Sequence, residues 1–530
     1  MEQGVGEVAK RYSQLEGERD TFLERGREAA RLTIPTLLPD EGHSSSTIYS
    51  TPYQGIGARG VNNLASKLLL ALLPPNSPFF RLTIDDFDLQ MIAGDNRGQV
   101  EEGLARIERA AMQEIEGKAI RVPVFEALKL LIVTGNALVY MPKKGGMKVF
   151  RPDRYVVKRD AMGNVLEIIT KETVSPMMLP EEVQQLMPQN EDPSDTHKSG
   201  SSHKSYNLYT CLVATDKGYM THQEVAGIEV PNSRGTFKKD TNPFIPLRFI
   251  RIDGEDYGRG YVEEYIGDLR SLESLTRAIV QGSAASSKVL FLVRPNGTTK
   301  SSDLSKAPNG AFLNGDANDV STLQVQKAAD FRVALETMRM INDRMAAAFL
   351  LNSSVQRAAE RVTAEEVRFM AQELETALGG VYSILSQEFQ LPLINILLNS
   401  LQAQGKMPKM PKDSVKPTVV TGIEALGRGQ DLNKLATFLQ YLQPLGAEVI
   451  ASEMNINDYI DRLGASLGID TSGLIKSQEQ KMQEQMQQQQ LMQQQMMEQA
   501  AMGAAQRAAP AVAGKIDPDQ LRQAMEQVNE

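Results

Sequence analysis

The stretch Tyr261–Lys288, YVEEYIGDLRSLESLTRAIVQGSAASSK, decides how the chain is read. Val262, Tyr265, Ile266, Leu269, Leu272, Leu275 and Ile279 recur every three to four positions, which predicts one amphipathic helix of about 28 residues, ~42 Å long. Such a helix is longer than a small domain needs. The same period returns from Asp330 to Leu350, with Phe331, Leu335, Met338, Ile341, Met345 and Phe349 on one face. Between the two helices lie strand-like runs at Val289–Val293, Ala311–Leu313 and Val320–Val325, with a turn at Pro295-Asn296-Gly297. Two long helices therefore carry a small β insert. A polar loop, Leu351–Glu360, leads to Thr363-Ala364-Glu365-Glu366, a capping box in which hydroxyl and carboxylate each satisfy a free amide. It opens a third long helix reaching Gln390 or beyond, with kinks expected at Gly379-Gly380 and Pro392.

Upstream, Val8, Leu15, Phe22 and Ala29 mark one face of a charged helix over 5–32, stopped by Pro35 and Pro39. A helix over Gly57–Leu73 ends at Pro74-Pro75; Thr83–Asp88 reads as strand or turn and 98–119 as a charged helix. Val124–Thr134 predicts a buried helix entering a strand at Ala137–Met141, followed by strands at Lys148–Phe150, Tyr155–Arg159 and Val165–Thr170. Gln184–Lys204 has the composition of an exposed loop, and strands resume at Tyr206–Ala214 and Gly218–His222. Downstream, short helices are expected near 430–443 and 455–466, before a Gln/Met tract beyond Ser477 that specifies no packed core. The fold class is α+β, mainly α.

At 530 residues the chain is expected to hold about three or four domains. Its net charge of −9 argues against coating nucleic acid over the whole surface, so any DNA role belongs to a patch or a channel. A single cysteine, Cys211, excludes an intrachain disulfide framework and any multi-cysteine metal site, and suits a reducing compartment. The polar, acidic start predicts no signal peptide. Leu64–Pro75 is too short to span a membrane, and Val124–Met141 is interrupted by Glu126, Lys129 and Asn136 where about 20 apolar residues are needed.

Gly55-Ile56-Gly57-Ala58-Arg59-Gly60 matches the G-x-G-x-x-G dinucleotide fingerprint, but Ser50–Gln54, with Pro52, does not read as the buried strand that mechanism requires. Close helix packing is the competing reading. His197, His203 and His222 near Cys211 match no zinc spacing. The acid pairs Asp85-Asp86, Glu101-Glu102, Glu263-Glu264 and Glu365-Glu366 read as solvated faces more readily than as acid/base couples, because helix neighbours diverge by about 100°. Neither catalytic residues nor a metal or cofactor site emerges, and no enzyme is expected. Between Gly258 and Arg361 there are 13 Lys and Arg against 11 Asp and Glu, a mild positive balance inside an acidic chain.

The order long helix, β insert, long helix, polar loop, third helix resembles the portal, or head-to-tail connector, of short-tailed bacteriophages. The resemblance is carried by Thr33–Pro39 (TIPTLLP), Ser50–Pro75 (STPYQGIGARGVNNLASKLLLALLPP), Val122–Tyr140 (VPVFEALKLLIVTGNALVY), Arg251–Leu275 (RIDGEDYGRGYVEEYIGDLRSLESL), Arg361–Arg368 (RVTAEEVR), Leu378–Leu393 (LGGVYSILSQEFQLPL) and Thr421–Leu432 (TGIEALGRGQDL). It spans about residues 30–475 and leaves out the 184–205 loop and the Gln/Met tail. It implies a wing over 1–257, stem helices over 258–290 and 329–350, a clip over 291–328 and a tunnel loop over 351–361. A long wing helix over 362–404, a crown over 405–476 and a tail over 477–530 complete the division.

The same resemblance implies a ring of about twelve subunits at one capsid vertex, through which double-stranded DNA is packaged and ejected. Implied partners are the terminase large subunit, scaffolding and major capsid proteins, a tail adaptor and internal core or ejection proteins. The expected location is the virion, after assembly in the host cytoplasm and without a membrane. Lys288, Arg344, Arg357 and Arg361 are candidates for transient phosphate contacts in the channel, with an intersubunit salt bridge the equal alternative for each. Arg294, Lys300 and Lys306 are candidates for terminase and tail docking on the clip. The readings set against this one are a nucleotide-binding enzyme built on Gly55–Gly60, a tail adaptor and an internal core protein.

Overall fold

The computed structural model describes residues 6–44, 46–75, 78–83, 97–143, 145–186, 205–286, 290–323, 328–351, 364–406, 418–421 and 428–446, with scattered positions beyond, including 486–497. Helix α1 (Glu7–Arg31) buries Val8, Leu15 and Ala29 of the expected face together with Tyr12 and Leu23, while Phe22 is half-buried. Its free N-terminal amides are taken by the buried Glu224 carboxylate, which accepts from Val8 N at 3.2 Å and Ala9 N at 3.3 Å, a favourable place for negative charge. Helix α2 (Ile56–Leu72) ends against two side chains from the far end of the sequence. Tyr382 Oη donates to Ala71 O at 3.3 Å and Gln390 Nε2 to Leu72 O at 2.7 Å.

Strand β1 (Phe80–Thr83) pairs antiparallel with a strand more than 330 residues later, Thr418–Thr421. Helix α3 (Arg97–Gly117) follows, and α4 (Arg121–Thr134) is apolar almost all round, burying Val124, Ala127, Leu128 and Leu130–Val133. Such a helix belongs in a core, and this one sits at the centre of the largest apolar cluster. Gly135, at φ 78°, ends it in the left-handed conformation. A Cβ there would lie 2.3 Å from the Arg259 carbonyl carbon, so this glycine also permits the close approach of two chain segments.

Strands β2 (Asn136–Tyr140) and β3 (Lys148–Phe150) form a three-stranded sheet with a later strand that the sequence pattern misses. Next come β4 (Tyr155–Arg159), β5 (Val165–Val174), a short helix α5 (Glu181–Leu186), β6 (Tyr206–Thr215), β7 (Gly218–Val225), β8 (Ile228–Glu229) and β9 (Gly235–Phe237). These strands make an open antiparallel six-stranded sheet in which β9 pairs with β7. The missed strand is β10 (Phe244–Arg248), whose central Pro246 obscures its pattern. It stands at the edge of the order β10-β2-β3, where a missing N–H is tolerated.

Helices α6 (Tyr261–Glu264) and α7 (Ile266–Ser286), the ribbon of β11 (Leu290–Val293) and β12 (Val320–Leu323) with α8 (Ser301–Lys306) between them, and α9 (Ala328–Ala348) form the helix pair and its insert. The third long helix is divided into α10 (Ala364–Ala377), α11 (Val381–Leu385) and α12 (Leu391–Ala403). Gly379 at φ 59° and Gly380 at φ 89° make the first break. The second is a π-helical turn, Ser386–Gln390, placed just before Pro392 where the helix ladder would lose an N–H. Strand β13 (Thr418–Thr421) and helix α13 (Arg428–Leu442) close the described order. By its contacts the chain divides into Met1–Leu439 and Gln440–Glu530. In the latter, residues 486–497 are helical and carry exposed Met486, Leu491, Met492, Met496 and Met497. The capping Thr363 and the bulk of the 184–204 loop lie outside the described residues, as does most of the expected helix at 455–466, whose described positions 456, 459, 460, 463 and 464 are helical. The structure is mixed helix and strand, with open sheets. Among the described residues no helix is long and apolar enough to cross a membrane.

Candidate functional site

The two long helices run antiparallel: Tyr261 meets Ala348, Asp268 meets Arg344, Thr276 meets Met338, and the ribbon continues the pairing from Leu290 opposite Leu323 to Val293 opposite Val320. The first differs from the single helix expected over 261–288. Tyr265, at φ −110° and ψ 14°, interrupts it after one turn. The interruption lets Tyr261, Tyr265 and Phe349 form an aromatic cluster, with ring centroids 5.1 Å apart for Tyr261–Tyr265 and 5.8 Å for Tyr261–Phe349. Tyr261 Oη donates to Ala348 O at 2.8 Å, tying the start of the first helix to the end of the second.

The end of α9 is fixed from below by α2. Leu351 N donates to Ala346 O at 2.8 Å and Leu350 N to Ala347 O at 3.0 Å, closing the helix with Leu350 in the left-handed region at φ 52°. A leucine there is strained, and Asn63 Nδ2 holds the turn by donating to Phe349 O at 3.0 Å and Leu350 O at 3.1 Å. Phe349 packs on Gly60, where any Cβ would come within 2.4 Å of its ring. Leu351 thus leaves α9 from an anchor that the helical period does not reveal.

Away from that anchor the burial stops. Leu269, Leu272, Ile341 and Met345 are buried, but beyond Leu272 on α7 and before Ile341 on α9 no described side chain is. Val280, Val333 and Met340 are exposed on the pair, and Phe291, Leu292, Phe312 and Leu313 on the insert. The insert is held together mainly by polar contacts. The Asp319 carboxylate accepts from Thr299 N and Thr298 Oγ1, both at 3.2 Å, over the Gly297 turn. These bonds hold its carboxyl below the usual carboxylate range. Ala311–Leu313, expected as a strand, has no partner strand and is irregular, with Phe312 wholly exposed.

Of the channel candidates, Lys288, Arg357 and Arg361 lie outside the described residues. Arg344 sits near the base of the pair and is ion-paired within its own chain to Asp268. Arg294, Lys300 and Lys306 are all on the insert and exposed; Arg294 is 4.0 Å from Asp319. The structure therefore separates the clip candidates from Arg344 along the length of the pair. Asn63 and Asp319, which sequence reasoning missed, act largely through backbone contacts that leave no periodic signal, whereas Gly60 fits the close-packing reading of the glycine fingerprint by lying under the Phe349 ring.

The glycine fingerprint is used for packing. Gln54 Oε1 accepts from Gly57 N at 2.9 Å, its Nε2 donates to Leu32 O, and a Cβ on Gly57 would meet that same carbonyl at 2.7 Å. The helix start a phosphate would need is thereby occupied. His222 faces Cys211 across β6 and β7, while His197 and His203 lie outside the described residues. Burial pushes the Cys211 thiol up to about 12, so it stays protonated. Of the acid pairs, Asp85-Asp86 lies outside the described residues, whereas Glu263 binds Arg259 at 3.0 Å and Arg25 at 3.5 Å. Among the described residues no group of three or more His, Cys, Asp or Glu could hold a metal.

A helix pair carrying a small insert, springing from an α+β body, is an architecture to set beside known chains. Residues 5–475 match the family model of the bacteriophage head to tail connecting protein. The chain belongs to that family. It is 45% identical over 491 residues to the portal protein of Enterobacteria phage T3, covering 90% of each chain. To the portal protein of Escherichia phage T7 it is 46% identical, over 89% of this chain and 88% of that one. It is 30% identical to the portal protein of Enterobacteria phage SP6, over 89% of this chain and 90% of the relative.

Proposed function

We propose that the chain is the portal of a short-tailed phage, a ring of about twelve copies at one capsid vertex that conducts double-stranded DNA inward at packaging and outward at ejection. The observation that carries this reading is the contrast along the helix pair: a base fixed by Tyr261, Phe349 and Asn63, and a distal half where no described side chain is fully covered. Neighbouring copies in a closed, heterologous ring supply that cover. In this reading 258–290 and 329–350 are the stem, 291–328 the clip, 1–257 with 362–404 the wing, and 405–476 the crown. Strand β13 then ties the start of the crown segment to the wing through β1. Terminase and later the tail adaptor dock at the clip, where Arg294, Lys300 and Lys306 are exposed. Scaffolding, capsid and internal core proteins contact the rest, and the tail over 477–530 stands apart from these roles.

DNA must pass without being held. A few basic groups amid acids suit that better than a cationic lining, whose counterion release would grip the duplex. Arg344, already paired with Asp268, offers a partly neutralised charge; Lys288, Arg357 and Arg361 complete the set of transient phosphate contacts. The channel is a structural part, and the energy for packaging comes from a separate ATPase. The test is the double variant Arg357→Glu/Arg361→Glu: rings are expected to form normally while DNA packaging or retention fails. Normal packaging by that variant removes the tunnel-loop assignment.

A further inference from the structure

A second feature lies on one flank of the helix pair, where the segment before α2 crosses it. A cavity of about 440 Å³ opens there between Tyr53, Gln54 and Ile56 on one side and Leu272, Thr276 and Met338 on the other. Ile56 and Leu272 are buried, Thr276 and Met338 half-buried and Tyr53 45% exposed, so an apolar floor and an aromatic wall open to solvent. The wall is held in place. Gln54 N donates to Glu273 Oε2 at 3.1 Å, and the Arg277 guanidinium lies over the Tyr53 ring, 5.2 Å from its centroid. An apolar hollow formed before anything enters it needs little ordering to be filled.

The opposite flank of α9 carries the complement. Met338, Ile341 and Met345 mark the inward face of that helix. At about 100° per residue, Met340 and Val333 stand about 130° and 110° to one side of it, and Asn342 and Arg339, which line the cavity, about 70° and 130° to the other. Met340 is 62% exposed and Val333, two turns away, 69%. Because Met340 falls between Met338 and Asn342 in the chain, knob and hollow stand at one level along the helix pair. Rotation about a ring axis leaves height unchanged, so with the helix pair along that axis a neighbour's Met340 arrives at the level of the cavity. A flexible thioether adapts to such a shape. Charge agrees as well. Arg339 on the rim and Glu336, one turn before Met340, are both exposed, and neither has an ion-pair partner among the described residues.

We propose that this cavity is the socket for Met340 of a second copy of the chain, with Arg339 on the rim paired to Glu336 of that same neighbour. The inference rests on the ring reading and adds which flank of each subunit inserts and which receives. The contact is heterologous: the Met340 flank of one copy meets the cavity flank of the next, and repetition closes the ring.

The test uses introduced cysteine pairs in the full chain. Cys211 is buried and stays protonated, so the introduced thiols are the ones that react. Tyr53→Cys with Met340→Cys is expected to give a covalent ladder on a non-reducing denaturing gel after mild oxidation, with electron microscopy of the same sample confirming rings. Each single variant is expected to stay monomeric on that gel, because a heterologous contact never joins like positions. Asn342→Cys with Met340→Cys is the second pair, used if loss of the Tyr53 ring itself prevents assembly. Rings without a ladder from either pair overturn the socket and leave the ring standing; no rings from the parent chain overturn both. A ladder from Met340→Cys alone overturns the heterologous assignment. Met340→Asp is expected to raise about tenfold the concentration at which half the chain is in rings, and an unchanged value overturns the socket. Arg339→Glu is expected to raise it about threefold and added Glu336→Arg to restore it; no effect, or no restoration, overturns the ion pair.

Discussion

The base of the helix pair and its far end are built from the same kinds of residue, yet they obey different physics. At the base, Leu269, Leu272, Met345 and Phe349 are buried against α2 and α4 in one continuous cluster. At the far end, Val280, Val333 and Phe291 stand in solvent, and the insert is knit by Asp319 and two threonines. The first region is complete in one chain. In the proposed ring the second is completed by neighbouring copies.

The sharpest way to break the contrast is to remove the anchor. Phe349→Ala is expected to cost about 3–5 kcal/mol in denaturant unfolding, because it empties the space between Gly60, Tyr261 and Tyr265. A value near zero would show that the base is not the rigid element. Asn63→Ala is expected to cost about 1–3 kcal/mol by freeing the carbonyls of the strained Leu350 turn, and to raise hydrogen exchange at Leu350 and Leu351. Val280→Asp with Val333→Asp is expected to change unfolding of the unassembled chain by only about 0.5 kcal/mol. The same pair is expected to shift sedimentation from rings to free subunits. If rings form at unchanged concentration, those side chains are not covered by neighbours.

Acid and alkali separate the regions further. Asp319 has its folded pKa depressed, so its contribution is present above the ordinary carboxylate range of about 4 and is lost as pH falls through the lowered value. Tyr261 has its folded pKa raised, chiefly by burial, so its contribution is intact below the free value of about 10 and is lost as pH rises beyond it. Limited proteolysis is expected to open 295–319 first in acid, and hydrogen exchange to loosen 261–272 first in alkali. The reverse order would contradict both assignments.

The long helices were legible because apolar residues every three to four positions need no partner to be seen. The Gly379-Gly380 break was legible too, since both glycines take positive φ. What stayed hidden is non-local or without period. The β1–β13 pairing joins residues more than 330 apart, and β10 hides its pattern behind Pro246. The Tyr265 break sits in contact with Phe349, some 80 residues away, and no local propensity signals it. Candidate site residues chosen for charge alone met mixed fates. Arg344 proved paired to Asp268, whereas the anchoring role of Asn63 and Gly60 has no charge to betray it.

Cryo-electron microscopy of the purified full-length protein tests the central claim most directly. The account predicts closed rings of about twelve copies with the helix pairs side by side around a central hole, and Val280 and Val333 covered by adjacent subunits. Free monomers at every concentration, or rings with the helix pairs on the outer rim, would contradict it.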